Sequence, residues 1–323
     1  MKWSITKSKT FSHCQRKWYY SEVVASPTSK DPIRREAYLL KQCKSLQAWR
    51  GTVVDQVIEK FIVPQIKVKR VPSEAEVINF CNTLMDRQLA FGKEAAHRKL
   101  GISKSKSPET YCAFYDVEYG GSLEENKIEE AKREATDALL NLLRDELLND
   151  IIRQNCYIVA QRPLFFKLNY FSVSCTPDLI VFNDEAPQII DWKVHSFGNA
   201  DSWLQLGVYA VALTNVKPHN DFPVTLQKTK KASDIRLLEF QLLKNKKREH
   251  FVSEEDEADI YDYIFKSCLD IEKIAGAGSY EALDINQFQT ARSPRFCQNC
   301  PFKKLCWSQT KSPRLQQLLF GDE

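Results

Sequence analysis

The chain has 323 residues, a mass of 37.4 kDa and 43% hydrophobic side chains, enough for one large core or two small ones, as expected of a soluble globular protein. No apolar run approaches the roughly 20 residues of a bilayer span and no signal-peptide-like run opens the sequence, so a cytoplasmic setting without a membrane partner is expected. A net charge of +4 and a pI near 8.4 are too mild to announce a nucleic-acid binder from composition alone.

The first twenty residues, MKWSITKSKTFSHCQRKWYY, hold no acid, as in a transit peptide, but their regular aromatic content points to folded structure. Residues 48–63, AWRGTVVDQVIEKFIV, have apolar positions at helical spacing, with Gly51, Asp55 and Glu59 four apart on the other face and Pro64 expected to close the helix. Residues 65–123 read as helix and loop. A long amphipathic helix is expected over 124–153, with Ile128, Ala135, Leu139, Leu142, Leu143, Leu147 and Ile151 as its buried stripe.

From Cys156 the pattern becomes that of strands: CYIVAQRPLFFKL, NYFSVSC, PDLIVF and PQIIDWKV, with Leu-Asn-Tyr and Asn-Asp-Glu-Ala-Pro as turns. NADSWLQLGVYAVALT then reads as a helix capped by Asn199, Asp201 or Ser202, followed by a strand at IRLLEFQLL and a helix over 253–275. Helices, a curved sheet, then helices is an α/β arrangement around one core, without an internal repeat. Basic clusters at 67–70, 97–106, 228–231 and 244–250, and acidic ones at 124–134 and 253–259, are ordinarily solvated faces.

Ten cysteines without a secretory signal argue for reduced thiols, some of them metal ligands. Cys43, Cys81, Cys112, Cys156, Cys175 and Cys268 are scattered among apolar neighbours and read as small core residues. The tail RFCQNCPFKKLCW is different, because Cys297, Cys300 and Cys306 form a C-x2-C-x5-C cluster that leaves one ligand to be found.

In PQIIDWKV, Asp191 and Lys193 project from one face of a strand while Trp192 faces the other way. Asp178 opens the preceding strand, and antiparallel pairing across a short turn would set it beside Asp191. Two adjacent carboxylates repel unless a cation lies between them, and Mg²⁺ or Mn²⁺, which prefer oxygen ligands and retain waters, would suit. Lys193 would orient such a water or stabilise charge developing on a phosphate. Spacing alone is equally compatible with strand-end acids and a salt-bridging lysine.

PD, twelve intervening residues and then DWK resemble the PD-(D/E)xK phosphodiesterase motif. Gln205 and Tyr209 in WLQLGVYA match the QxxxY motif of the RecB-like branch of that superfamily, and GTVVDQVIE resembles its GxxxHxxxE motif. Gly51 and Glu59 are in place there, but Asp55 stands where the family usually has a metal-binding histidine. The segment around Cys14 resembles the N-terminal segment of RecB-like nucleases that carry an iron-sulfur cluster, among them AddB-type helicase-nucleases and CRISPR-associated adaptation exonucleases. Gln15 replaces the proline often found after that cysteine.

The resemblance covers both ends and the centre and leaves about 65–150 unmatched. It implies a small mixed sheet flanked by helices, as one nuclease domain over 1–323: a cysteine segment and first motif helix (1–64), a helical insertion (65–155), a catalytic core (156–250) and a C-terminal helix with cysteines (251–323). It further implies Mg²⁺ or Mn²⁺ on Asp55, Asp178 and Asp191, with Lys193, Gln205 and Tyr209 in the catalytic machinery and Glu59 in support. Cys14, Cys297, Cys300 and Cys306 would hold a 4Fe-4S cluster that joins the termini, with Zn²⁺ as the alternative occupant.

The implied activity is hydrolysis of DNA, as single strands or strand ends, in repair or antiviral defence, with a helicase, integrase or defence protein as partner and 65–150 as its docking surface. Lys17, Trp18, Tyr19 and Tyr20 would line the DNA path or pack beside the cluster. Two other classes fit parts of the pattern: an inert nuclease-like module that binds DNA or a partner, and an interaction protein built on a four-cysteine zinc site.

Overall fold

The computed structural model describes residues 2–99, 101–183, 186–194, 201–217, 219–220, 222–223, 231–276 and 278–308. The chain forms two compact units, one from Met1–Ile5, Leu46–Arg87 and Glu124–Leu269, the other from Thr6–Ser45, Gln88–Leu123 and Asp270–Glu323.

The first unit contains β1 (Lys2–Trp3), α1 (Leu46–Val57), α2 (Glu125–Arg144), α3 (Leu147–Arg153), β2 (Tyr157–Ala160), β3 (Leu164–Leu168), β4 (Phe171–Cys175), β5 (Leu179–Phe182), β6 (Gln188–Lys193), α4 (Asp201–Asn215), β7 (Arg236–Gln241) and β8 (Lys246–His250). Five strands form a mixed sheet in the order β8-β7-β6-β5-β2, in which only β6 and β7 run parallel. Parallel neighbours need a crossover, and α4 lies in that connection. β1, β4 and β3 make a smaller sheet whose β3–β4 hairpin turns at Asn169, with φ of 53°. All of β5 and the middle of β6 are buried, which is why their sequences are apolar on both faces rather than alternating.

The mixed α/β architecture expected from the sequence is present, with local differences. CYIVAQRPLFFKL is two strands in two sheets, divided at Gln161 and Pro163. The first motif helix does not stop at Pro64: α1 runs on through a π-helical turn, Ile58–Ile62, into a helix at Val63–Lys67. Pro64 lies in the first turn of that last segment, where a missing N–H costs nothing. The helix expected over 124–153 breaks at Asp145, whose ψ of 145° is extended and whose Oδ1 accepts from Leu147 N at 2.8 Å, starting α3. The basic run at 244–250 is a solvated face, as expected, but is largely β8, an edge strand whose charges discourage pairing with another sheet. Of the caps expected for α4, Asn199 lies outside the described residues.

In the second unit an aromatic core forms around Phe288 and Phe302. Trp18 and Tyr19 stack on Phe288 and Tyr20 stacks on Phe302, with centroids 6.2, 4.6 and 5.5 Å apart. All three partners are buried. Short parallel strands, Cys43–Lys44 and Ala113–Phe114, pair in the same unit. Among the described residues no helix is long and apolar enough to cross a membrane.

Candidate active site

The β5–β6 register, Leu179 opposite Ile190, places Asp178 across from Asp191 one step before β5 begins. Trp192 N donates to Asp178 Oδ2 at 2.9 Å and Gln161 Nε2 donates to Oδ1 at 3.1 Å, fixing the orientation of that carboxylate. Lys193 Nζ is ion-paired with Asp191 Oδ2, as the two-residue spacing requires. From α4, Gln205 Nε2 donates to Asp191 Oδ1 at 3.0 Å and to Tyr209 Oη at 2.7 Å, while its Oε1 lies 3.4 Å from Lys193 Nζ. One turn of helix thus brings Gln205 and Tyr209 over the strand-end acids.

The electrostatics are those of an acid cluster short of positive charge. Burial, then the Asp191 and Asp55 carboxylates, push Asp178 well above the usual carboxylate range, against the Trp192 N–H and Lys193. Burial works against the Lys193 ammonium, but Asp191 beside it holds its pKa above the ordinary lysine value, with help from Asp178 and Glu239. Burial and the two aspartates keep Tyr209 a phenol. Asp191 is only 1% exposed. Oxygen donors whose mutual repulsion a shared cation would relieve fit a hard divalent ion.

Asp55, on α1, reaches the pair through its charge on Asp178. Gly51 lies one turn before it, and a Cβ there would meet nothing within 4 Å. Glu59, expected on the same face, is exposed in the π-helical turn. That turn carries more residues per revolution than an α-helix, so a four-residue spacing that enters it no longer marks one face.

Three residues that sequence reading passed over belong to this neighbourhood. Gln161 orients Asp178. Arg50, 7% exposed, joins α1 to the end of β6 by donating to the Val194 carbonyl and pairing with Glu134. Glu239, in register with Asp191 on β7, is fully buried, accepts from Gln241 Nε2 at 2.7 Å and lies 3.1 Å from His250 Nε2. Burial would raise its pKa, but these partners and Arg248 hold it below the usual glutamate value. Its signal was an acid inside the apolar run IRLLEFQLL.

The four cysteines of the terminal segments meet in the second unit around a cavity of about 130 Å³, also lined by Arg16, Lys17 and Lys303. Lys17 N donates to Cys14 Sγ at 3.4 Å, and Arg16 Nη1 lies 4.0 Å from Cys306 Sγ. Burial raises the Cys297 and Cys306 thiols and pushes Cys300 up to about 11, so a ligand that replaces their protons would meet the cationic wall as thiolate charge appears. Thiols are the donor type of a thiolate-bound metal or cluster, although these four are not among the described side chains whose ligand atoms already lie within 4.8 Å of one another. Trp18, Tyr19 and Tyr20, considered for a DNA path, pack internally instead.

A mixed sheet that carries paired acids and a lysine at the ends of its central strands, under a helix bearing Gln205 and Tyr209, is the frame of a phosphodiester-cleaving nuclease. The model of the PD-(D/E)XK nuclease superfamily matches residues 2–307, and the chain belongs to that superfamily. Among solved structures, one of a putative exonuclease from Eubacterium rectale is similar at 11% identity and a TM-score of 0.37, covering 92% of this chain and 100% of that one. A protein named SSO0001 is similar at 12% identity and a TM-score of 0.32, covering 70% of this chain and 95% of that one. No curated protein matches.

Proposed function

We propose that the chain is a Mg²⁺- or Mn²⁺-dependent deoxyribonuclease of the RecB-like branch, acting on single strands or strand ends. The observation that carries this reading is the buried Asp178–Asp191 pair with Lys193 held against it, in a chain of this superfamily. Bound at the pair, the ion would supply positive charge to the phosphate and make water more acidic. Asp178, Asp191 and Asp55 would hold it, with Gln161 and the Trp192 N–H keeping Asp178 aimed.

Lys193 stays protonated beside Asp191, so it serves as a donor that orients the attacking water or meets the charge developing on the phosphate. Gln205 fixes Asp191 and Lys193 together, and Tyr209 holds Gln205. The four-cysteine cavity is the proposed seat of a 4Fe-4S cluster, supported by its four thiols and by the cationic side chains that would offset an anionic cluster. Zn²⁺ is the alternative occupant.

Pure protein incubated with end-labelled linear and with circular DNA, single- and double-stranded, with and without Mn²⁺, tests the activity. Metal-dependent shortening of linear single strands while circles survive is the expected result. Cleaved circles would replace the strand-end preference with internal cleavage. No cleavage of any substrate would leave an inert binding module.

A further inference from the structure

Outside both regions already described, a ring nitrogen of His97, Cys43 Sγ and a Glu118 oxygen lie within 4.8 Å of one another in the second unit. Cys43 opens the strand Cys43–Lys44, His97 sits in the 3-10 turn Ala96–Arg98 and Glu118 ends the short helix Tyr115–Glu118. His97 is wholly buried, and neither ring nitrogen makes a hydrogen bond, although Nε2 lies 3.4 Å from Glu118 Oε2. Nδ1 of this buried imidazole is left without a partner, at a cost of about 1–3 kcal/mol, and Nε2 faces a carboxylate that a metal ion could share.

We propose that Cys43, His97 and Glu118 form a second metal site that binds one Zn²⁺ ion. A thiolate, an imidazole and a carboxylate are a borderline-soft set that suits zinc better than Mg²⁺ or Ca²⁺. A tetrahedral zinc with bonds of about 2.0–2.3 Å keeps its ligand atoms about 3.4–3.8 Å apart, so small side-chain rotations close the site around the ion. Arg98 already fixes the carboxylate: its Nε donates to Glu118 Oε2 at 2.6 Å and its Nη2 pairs with Glu36 at 2.7 Å, an outer partner such as metal-bound carboxylates require.

Charge agrees. Glu36 and Glu118 against Arg98 leave one negative charge, a Cys43 thiolate adds a second, and one divalent cation neutralises both. A metal bound there would replace the Cys43 proton. The ion would tie the Thr6–Ser45 segment to the Gln88–Leu123 segment within this unit.

The test needs no variant at first. Adding Zn²⁺ to metal-stripped full-length protein should slow alkylation of Cys43 by N-ethylmaleimide about tenfold or more, read by peptide mass spectrometry. Cys43→Ser and His97→Gln, checked for folding by circular dichroism, should each lose one zinc per chain on dialysis. A Cys297→Ser, Cys300→Ser variant, which dismantles the other cysteine site, should retain that zinc. Zinc retained by folded Cys43→Ser and His97→Gln, or a Cys43 alkylation rate that Zn²⁺ leaves unchanged, would overturn the proposal.

Discussion

Asp178 lies between two demands. It is buried beside a second carboxylate and under the field of a third, so without a cation the folded chain holds its proton more tightly than the unfolded chain does. A raised folded-state pKa contributes stability at low pH that is lost as pH rises through that value. Metal-free protein should therefore lose stability as pH climbs above the ordinary carboxylate range, and Mn²⁺ should restore it. Asp178→Asn removes the charge and keeps the shape. It should raise the metal-free melting temperature at pH 8 by about 1–2 °C, as ~1 kcal/mol does in a chain of this size, and abolish cleavage. Calorimetry of both proteins from pH 5 to pH 8 checks this, and parallel melting curves would place the proton elsewhere.

Among the elements, those with regular spacing were legible from sequence. Asp191 and Lys193 share a face because strands alternate, Asp178 meets Asp191 because a short turn pairs their strands, and Gln205 and Tyr209 stack because helices repeat near four. What escaped lacks such a period. β8 has no apolar residue to alternate, so its sequence reads as a solvated face with no sign of a strand. Glu239 is disguised by its apolar run, and Arg50 by its place among helix polar residues. Cys43 looked like five buried core cysteines until folding brought His97 and Glu118 to it. The π-helical turn that exposes Glu59 has no sequence signature here, and it yields a contrast: Asp55→Ala should raise the Mn²⁺ concentration needed for half-maximal cleavage about tenfold or more, whereas Glu59→Ala should change it less than twofold. Equal effects would return both residues to one metal-facing surface. Arg50→Ala leaves the Val194 carbonyl and Glu134 without the guanidinium, so urea denaturation should show a loss of about 2–4 kcal/mol.

At the scale of the whole molecule, chemistry is divided between the units: the acid pair, Lys193, Gln205 and Tyr209 belong to one, and the four terminal cysteines to the other. If those cysteines hold an iron-sulfur cluster, anaerobically purified protein should be brown with broad absorption near ~400 nm, and Cys300→Ser should lose both the colour and part of the stability. Colourless protein with zinc at that site would keep the join between terminal segments and exclude the cluster. The nuclease assignment stands apart from either outcome, and the rate of one chemical step tests it most directly. In single-turnover cleavage of an end-labelled single-stranded oligonucleotide with saturating Mn²⁺, Lys193→Ala should bind Mn²⁺ as the wild type does yet cleave ~100-fold or more slowly, the usual cost of losing one preorganised charge-stabilising donor. A Lys193→Ala protein that cleaves at the wild-type rate would contradict the assignment of Asp178, Asp191 and Lys193 as the active site.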